Sequence, residues 1–261
     1  MGHELDGKRA IVTGGGTGIG YAVALELARQ GAQVAIAGRR TEVLAAAATK
    51  IKDEIGADVL PVTADTGDDE SVKALAETVK AAFGGVDILV NNAAEQPAQH
   101  GSSYLDATDD WFQRQINVKV IGYLRTIRAV APLLIENGWG RIINISGTGS
   151  RQTVSVIGSV RNAGVTALTK NVADELGKHG INVTVVPEQI ADSIEHWFRT
   201  RAADGFNLNF DVFPTGLELF VDHVVPLLRQ RGIFRREYTG RTLRDHLGLP
   251  RPLSRFQEAE Q

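Results

Sequence analysis

The chain has 261 residues, 43% apolar and 23% charged, which is typical of one large globular domain whose core needs no disulfides. It contains no cysteine, which excludes thiol catalysis and zinc–thiolate sites and fits a reducing cytosol. The net charge of −3 argues against nucleic-acid binding, and no apolar run has the length of a membrane span or the pattern of a signal peptide. We therefore expect a cytoplasmic protein that binds neither nucleic acid nor membrane.

Short apolar runs alternate with longer helical patterns through the first two thirds of the chain. Six runs predict strands: Arg9–Thr13, Gln33–Ala37, Val59–Thr63, Val86–Asn91, Arg141–Ile145 and Ile181–Val186. The segments between them predict helices: Gly20–Gln30, Glu42–Ile55, Asp69–Phe83, Asp109–Glu136 and Asn162–His179, with Asp68 and Thr108 as N-caps of the third and fourth. Continuous apolar runs are typical of strands covered on both faces, so the pattern predicts a doubly wound, parallel α/β sheet.

A glycine-rich turn connects the first predicted strand to the first helix. Its sequence, TGGGTGIG, runs from Thr13 to Gly20. Glycines allow a tight turn and close approach to a pyrophosphate, which the N–H groups and dipole of the following helix attract. A tight turn without a ligand is the alternative, but the position at the start of the first βαβ unit favours a dinucleotide site. The residues predicted to bind the dinucleotide here are Gly14, Gly16, Thr17, Gly18, Ile19 and Gly20.

Two arginines follow the second predicted strand. Arg39 and Arg40 stand about twenty residues beyond the glycines, where an acidic residue would bind the ribose 2′-hydroxyl of NAD(H) and a basic one the 2′-phosphate of NADP(H). No carboxylate is available there, so we favour NADP(H) over NAD(H). A solvated charge pair at the start of a helix is the alternative.

In combination, these and later motifs resemble the classical short-chain dehydrogenase/reductase family over roughly residues 5–186. The later motifs are Asp65 after the third strand, Asn91-Asn92-Ala93-Ala94 after the fourth, Asn117 in the long helix, Arg141–Ser146, and Ala163–Lys170. The resemblance implies a Rossmann-type fold and an oxidoreductase acting on a small carbonyl or alcohol. It also implies that Asp65 contacts the adenine, that Asn91 and Ala93 line the cofactor cleft, and that Asn117 holds a proton-relay water. A homodimer or homotetramer, paired through the helices Asp109–Glu136 and Asn162–His179, is implied as well.

The residues that carry catalysis in this family are missing from the corresponding positions. The family uses a Tyr as proton donor, a Lys four residues later that lowers the pKa of that hydroxyl, and a Ser after the fifth strand. With Ala163–Lys170 as the anchor, these positions hold Gly158, Asn162 and Gly147. A register shift of one residue brings Arg161 to the Lys position and does not restore the Tyr. We therefore expect cofactor binding with weak or absent redox turnover.

Other side chains could replace the missing donor, or the fold could serve another purpose. The candidate hydroxyls are Ser146, Thr148, Ser150, Ser155, Ser159, Tyr104 and Tyr123, although an unactivated serine is a poor acid. One alternative is a nucleotide-binding protein without turnover. Another is non-redox chemistry on a small ligand held by Asn117, Arg151 or Arg161. The six histidines have no metal-ligand spacing, so we expect no metal.

From Pro187 onward the sequence resembles a different family. Residues 187–252 are similar to the C-terminal segment of flavin monooxygenases of the bacterial-luciferase superfamily, nitrilotriacetate monooxygenase branch. We therefore expect a fusion, natural or engineered, in which residues 187–261 complete the sheet of the core, residues 1–186, within one domain. Gln189–Ala203 would form a helix, Gly205–Phe210 a strand and Leu217–Gln230 a further helix. Because most of the flavin barrel is missing, we expect no flavin.

Overall fold

The computed structural model describes residues 4–95, 108–147 and 155–186. All of them belong to the first of two units into which the chain divides, Met1–Glu188. The helices and the strand expected beyond Pro187 lie outside the described residues. Their place in one domain with the core therefore stays a prediction.

Six parallel strands form one sheet in the order β3-β2-β1-β4-β5-β6. They are β1 (Arg9–Thr13), β2 (Gln33–Gly38), β3 (Leu60–Thr63), β4 (Ile88–Asn91), β5 (Gly140–Ile145) and β6 (Ile181–Val186). In the centre, Ala10 of β1 lies opposite Val34 of β2 and Ile88 of β4. The direction of strand progression reverses between β1 and β4, and the doubly wound sheet predicted from the sequence is confirmed.

The helices cover both faces of the sheet. They are α1 (Gly18–Arg29), α2 (Thr41–Ile55), α3 (Asp69–Phe83), α4 (Asp109–Ile116), α5 (Gly122–Asn137) and α6 (Val156–Leu176). Alternate residues of the central strands pack into opposite cores: Ile11 packs with side chains of α3, α5 and α6, and Val12 packs with those of α1 and α2. Burial of apolar side chains on both faces explains why the central strands read as continuous apolar runs.

The long helix predicted over Asp109–Glu136 is interrupted. A π-helical turn, Asn117–Ile121, separates α4 from α5. Such a turn accommodates an extra residue without ending the helix and is frequent at functional sites. The apolar periodicity of the sequence did not predict this π turn. The extra residue rotates the apolar face of the following helix by only part of a turn, so one continuous helix remains compatible with the pattern.

The N-termini of α3, α4 and α6 are capped by side chains. Asp68 accepts a hydrogen bond from Ser71 N, and Thr108 accepts one from Trp111 N, as predicted. Ser155 caps α6 by accepting from Gly158 N, so this helix begins six residues earlier than the expected start at Asn162. Gly158 and Asn162 therefore lie in the first two turns of α6.

Candidate functional site

The glycine-rich turn after β1 has the backbone of a phosphate-binding loop. Gly14 and Gly18 have positive φ angles of 67° and 56°, which residues with a Cβ rarely adopt. At Gly20 a Cβ would lie 2.2 Å from the Gly14 carbonyl oxygen. At Gly18, no described residue other than its neighbours in the chain and the first turn of α1 has an atom within 4 Å of where a Cβ would be, so this part of the loop backbone is open to a ligand at the N-terminus of α1.

A hydrogen-bond network fixes this loop to the end of β4. The Thr13 hydroxyl accepts from Asn92 N at 3.0 Å and from Ala93 N at 3.1 Å. The Asn92 side-chain amide donates to the carbonyls of Thr13 and Gly14. The sequence predicts no cofactor contact for Asn92, which belongs to the Asn91–Ala94 motif; hydrogen bonding at the end of the strand is the alternative role that fits this pair of asparagines. The conformation of the turn depends on this side chain and on the proximity of β1 to β4.

A cleft of about 510 Å³ opens at the carboxyl ends of β1, β2 and β4. Nine residues predicted to bind the dinucleotide line it: Gly14, Gly16, Thr17, Gly18, Ile19, Arg39, Arg40, Asp65 and Ala93. Residues not predicted to bind the dinucleotide complete the wall, among them Asn92, Val43 and Glu95. The cleft lies at the switch point of the sheet, which is where nucleotides bind in open α/β folds. The open backbone and the two arginines fit a phosphorylated dinucleotide.

Two predicted cofactor residues lie beneath the cleft. Gly20 packs against the loop itself, as its contact with Gly14 shows. Asn91 is fully buried; its amide nitrogen donates to Asn144 Oδ1 at 2.9 Å, and its Oδ1 accepts from the Thr126 hydroxyl at 2.6 Å. Asn91 thus ties β4 to β5 and α5, while the neighbouring Asn92 faces the loop.

Glu95, four residues beyond β4, carries a negative charge into the cleft. Its Oε1 accepts from Arg39 Nη1 at 3.0 Å and from Arg114 Nη2 at 2.9 Å, and its Oε2 accepts from Arg114 Nε at 2.9 Å. The hydrogen bonds from Arg114, together with the charge of Arg39, hold the pKa of Glu95 below its ordinary value, although partial burial acts in the opposite direction. Glu95 is therefore ionised at neutral pH.

The three positions to which the family resemblance assigned catalysis come together at the junction of β5 and α6. The Asn162 side chain occupies the space beside Gly147, where a Cβ would lie 2.6 Å from Asn162 Nδ2. A Cβ at Gly158 would lie 2.8 Å from the capping oxygen of Ser155. Asn162 is 5% exposed, and its Oδ1 has no hydrogen-bond partner among the residues that the structure describes. None of these three residues carries a titratable side chain.

Asn117 lies at the start of the π turn and hydrogen-bonds to the segment that follows β3. Its Nδ2 donates to the Gly67 carbonyl at 3.1 Å, and its Oδ1 accepts from Arg125 Nη2 at 2.8 Å. Its carbonyl oxygen accepts from Arg125 Nη1 at 3.3 Å. The relay-water role implied by the family stays a prediction.

Three of the candidate substitute donors that the structure describes, Tyr123, Ser146 and Ser155, have structural partners. The Tyr123 hydroxyl, fully buried, donates to the Ile145 carbonyl at 2.9 Å, and the Ser146 hydroxyl donates to the Asn162 carbonyl at 3.2 Å. Ser155 caps α6. Thr148, Ser150, Arg151 and Tyr104 lie outside the described residues. The remaining hydroxyl, Ser159, is half-buried on α6.

A buried arginine joins the mouth of the cleft to α6. Arg161, 7% exposed, donates through Nη1 to the Glu95 carbonyl at 2.9 Å and to Gln115 Oε1. This guanidinium, on the residue before Asn162, brings a positive charge to the helix that carries the catalytic positions. Its bonds to α4 and to the segment after β4 fix the orientation of α6.

Two classes of site have no counterpart in the part of the chain that the structure describes. No group of three or more His, Asp and Glu residues there could hold a metal ion. None of the helices in residues 4–95, 108–147 and 155–186 has the length and apolar character to cross a membrane.

Comparison with known proteins identifies relatives of the described unit. The family model for short chain dehydrogenase matches residues 8–193. An uncharacterised oxidoreductase of Staphylococcus aureus (strain MW2) is 33% identical over 191 residues, 72% of this chain and 80% of the relative. Among solved structures, L-sorbose reductase from Gluconobacter frateurii in complex with NADPH and L-sorbose is 28% identical, with a TM-score of 0.67 over 78% of this chain and 80% of that one. An NAD⁺-bound xylitol dehydrogenase is also 28% identical, with a TM-score of 0.67 over 70% of each chain.

A further relative has a different activity. The N-acetyl-S-(2-succino)cysteine monooxygenase of Bacillus subtilis (strain 168) is 47% identical over 95 residues, which are 36% of this chain. The match spans only 21% of the monooxygenase. Similarity of this extent relates a segment of the two proteins and does not transfer the activity of the whole relative.

Proposed function

The chain belongs to the short-chain dehydrogenase family of NAD(P)-dependent oxidoreductases, and we propose that it binds NADP(H) while reducing carbonyl substrates slowly or not at all. The cleft at the carboxyl end of β1 would hold the dinucleotide. The observation that carries the proposal is the contrast between the two halves of the site. The phosphate-binding loop has its glycines, and the junction of β5 and α6 has Gly147, Gly158 and Asn162 in place of titratable residues.

The preference for the phosphorylated cofactor is supported by charge. Arg39 and Arg40 are exposed at the edge of the cleft, immediately after β2. A guanidinium binds phosphate through paired, charge-assisted hydrogen bonds. The solved relatives include one bound to NADPH and one bound to NAD⁺, so the choice depends on the residues of this chain.

The proposed weakness in turnover follows from proton transfer. In the reduction direction, NADPH held in the cleft would supply a hydride to the carbonyl carbon, and the carbonyl oxygen must receive a proton from the protein. A glycine has no proton to give, and the neutral amide of Asn162 is not an acid near pH 7. General acid catalysis contributes about a hundredfold to ten-thousandfold to rate. Ser146 and Tyr123 are buried and donate to backbone carbonyls, which supports the view that neither replaces the missing donor.

Two measurements test this proposal separately. Calorimetric titration should give tighter binding of NADPH than of NADH, and Arg39→Asp should abolish that difference. At saturating NADPH, a panel of aldehydes and ketones should give slow or undetectable oxidation of the cofactor. Equal affinities for the two cofactors would contradict the assignment of NADP(H). A turnover number near the enzyme median of about 10 per second would contradict the proposed catalytic deficiency.

The fusion is a separate part of the proposal. Two observations support it: the sequence from Pro187 onward resembles that of flavin monooxygenases, and a monooxygenase matches 95 residues of the chain. Trypsin would release residues 179–199 as one peptide, HGINVTVVPEQIADSIEHWFR, which spans the proposed junction. Mass spectrometry of digested protein from the source cells should find this peptide. Finding instead only peptides that continue an ordinary dehydrogenase sequence after Val186 would contradict the fusion.

A further inference from the structure

The cleft contains an ion-pair chain that the family resemblance does not explain. Glu95 links Arg39, which follows β2, to Arg114, which belongs to α4. We call these three residues the Glu95 bridge. The Glu95 side chain is only 16% exposed, while those of Arg39 and Arg114 are 51% and 60% exposed. The carboxylate is thus the enclosed member, and the guanidiniums reach it from the solvent side.

The bridge crosses the path that a dinucleotide would take. β2 and β4 lie on opposite sides of β1 in the sheet, and the phosphate-binding loop follows β1 between them. A contact from the end of β2 to the segment after β4 therefore spans the switch point, where the dinucleotide lies in this type of sheet. Arg39 and Glu95 also line the same cleft as Gly14 and Gly18.

The two arginines hold Glu95 unequally. Arg114 donates to both carboxylate oxygens in a fork, and Gln115 Nε2 adds a contact to Oε2 at 3.4 Å. Arg39 contributes one hydrogen bond, to Oε1. Release of Arg39 would leave Glu95 with its bidentate partner, because paired hydrogen bonds from one guanidinium are stronger than a single exposed one.

We propose that Glu95 is a specificity-determining residue that competes with the 2′-phosphate of the cofactor for the Arg39 guanidinium. This inference rests on the proposed binding of NADP(H). Without cofactor, Glu95 neutralises Arg39. With cofactor, Arg39 turns to the 2′-phosphate and Glu95 stays with Arg114. The carboxylate thereby lowers the preference for NADP(H) over NAD(H) that Arg39 alone would produce.

The test uses two fragments that differ by a single phosphate, adenosine 2′,5′-bisphosphate and adenosine 5′-monophosphate. Calorimetry gives their dissociation constants, and the ratio of the two isolates the contribution of the 2′-phosphate without any nicotinamide chemistry. Glu95→Gln should raise the preference for the bisphosphate about two- to fivefold, the factor that an exposed ion pair corresponds to. Glu95→Asp, which keeps the charge but shortens the side chain, should raise it less. Asp69 is a surface carboxylate paired with Lys73, and Asp69→Asn should leave the preference for the bisphosphate unchanged.

A double variant separates competition from general repulsion. In an Arg39→Ala background, Glu95→Gln should have no effect on the ratio, because Arg39, the guanidinium for which Glu95 and the 2′-phosphate compete, is absent. An equal rise in that background, or an unchanged or lower ratio in Glu95→Gln alone, would overturn the inference. Absence of any bisphosphate preference in the unmodified protein and in every variant would instead contradict the proposed NADP(H) binding itself. Circular dichroism and thermal unfolding of each variant verify that the fold is kept.

Discussion

At the scale of single residues, contacts of a few atoms decide which substitutions this site tolerates. Gly20 is packed beneath the phosphate-binding loop, with no space for a methyl group. Gly147 is next to the amide of Asn162. A side chain at either position would meet a neighbouring atom, but only at Gly20 is that atom part of the rigid backbone. We therefore expect the two glycines to respond differently to substitution.

Gly20→Ala should destabilise the protein and abolish cofactor binding. The added Cβ would lie 2.2 Å from the Gly14 carbonyl oxygen and 2.5 Å from Asn92 Nδ2, so the loop must move. Overpacking of this kind costs about 1–3 kcal/mol. Urea unfolding and NADPH titration measure the two effects. Gly177→Ala, at a helical glycine with no atom within 4 Å of the added Cβ, is the matched control and should be neutral or slightly stabilising. Unchanged NADPH affinity in Gly20→Ala would contradict the assignment of the loop.

Restoring the family's serine should depend on residue 162. In Gly147→Ser the new Cβ would lie 2.6 Å from Asn162 Nδ2, so the amide must turn away at a cost of about 1 kcal/mol. In an Asn162→Ala background that cost should disappear. A double-mutant cycle of unfolding free energies should therefore give a coupling of about 0.5–3 kcal/mol between the two positions.

Restoring catalysis should require several substitutions together, because position 147 and residue 162 are in contact. Gly158→Tyr alone should raise the rate of carbonyl reduction little, because the new hydroxyl would keep a pKa of about 10 without a neighbouring ammonium. It would also press on the cap of α6, since a Cβ there lies 2.8 Å from Ser155 Oγ. The triple variant Gly147→Ser, Gly158→Tyr, Asn162→Lys replaces the amide that contacts position 147 with a flexible side chain, which supplies the ammonium. Its NADPH oxidation rate with an aldehyde panel should exceed that of either the single variant or the unmodified protein.

At the scale of secondary-structure elements, the amino ends of the central strands are held by a buried ion pair. Asp87, which precedes β4, accepts from Arg9 Nε at 2.7 Å and from Arg9 Nη2 at 2.9 Å. Asn137, at the end of α5, donates to the Val86 carbonyl and to Asp87 Oδ1. This cluster joins β1, β4 and α5 at the end of the sheet opposite the cleft. It therefore contributes to stability and lies away from the ligand.

Asp87→Asn should lower stability in a pH-dependent way. Burial acts to raise the pKa of Asp87, but the hydrogen bonds and charge of Arg9 outweigh it and hold the pKa below its ordinary value. A carboxylate whose pKa is lowered by folding stabilises the protein above the unfolded-state pKa of about 3.9, and that contribution is lost as pH falls through the folded-state pKa. The variant should thus lose about 1.5–3 kcal/mol of unfolding free energy at pH 7, and the difference should shrink below about pH 4.

Chemical denaturation at a series of pH values measures this dependence. Asp58→Asn is the control, because Asp58 forms an exposed pair with Lys52 and should change stability by less than about 0.5 kcal/mol. A destabilisation by Asp87→Asn that stays constant from pH 7 to pH 3 would show that its charge contributes nothing.

At the scale of the whole molecule, α6 presents an apolar strip to its surroundings. Val156 and Val160, one helical turn apart, are 52% and 45% exposed. Residues at this spacing lie on one face of a helix. We expect this face to pair with a second copy of the chain in a homodimer or homotetramer, and burial of both valines would remove apolar surface from water.

Val160→Asp should dissociate that assembly. Burying an unpaired carboxylate in an apolar interface costs its hydration free energy, so the variant should weaken the dimer. In the monomer the carboxylate stays in water, so the fold should tolerate it. Light scattering at micromolar concentration should show a dimer or tetramer for the unmodified protein and a smaller species for the variant. Ala46→Asp, at an exposed apolar position on α2, should leave the mass unchanged. A monomeric unmodified protein would contradict the expected assembly.

Local patterns in the sequence were sufficient for the element order, the parallel sheet, the caps Asp68 and Thr108 and the glycine-rich turn. Each depends on residues close together in the chain: runs of apolar side chains, a capping side chain three residues from its N–H, and glycines at fixed spacing. Only the tertiary structure revealed the π turn at Asn117, the role of Asn92, the close contact between Gly147 and Asn162, and the Glu95 bridge. These features join residues from different strands and helices, and their partners are set by how the sheet and helices pack, which local periodicity does not encode.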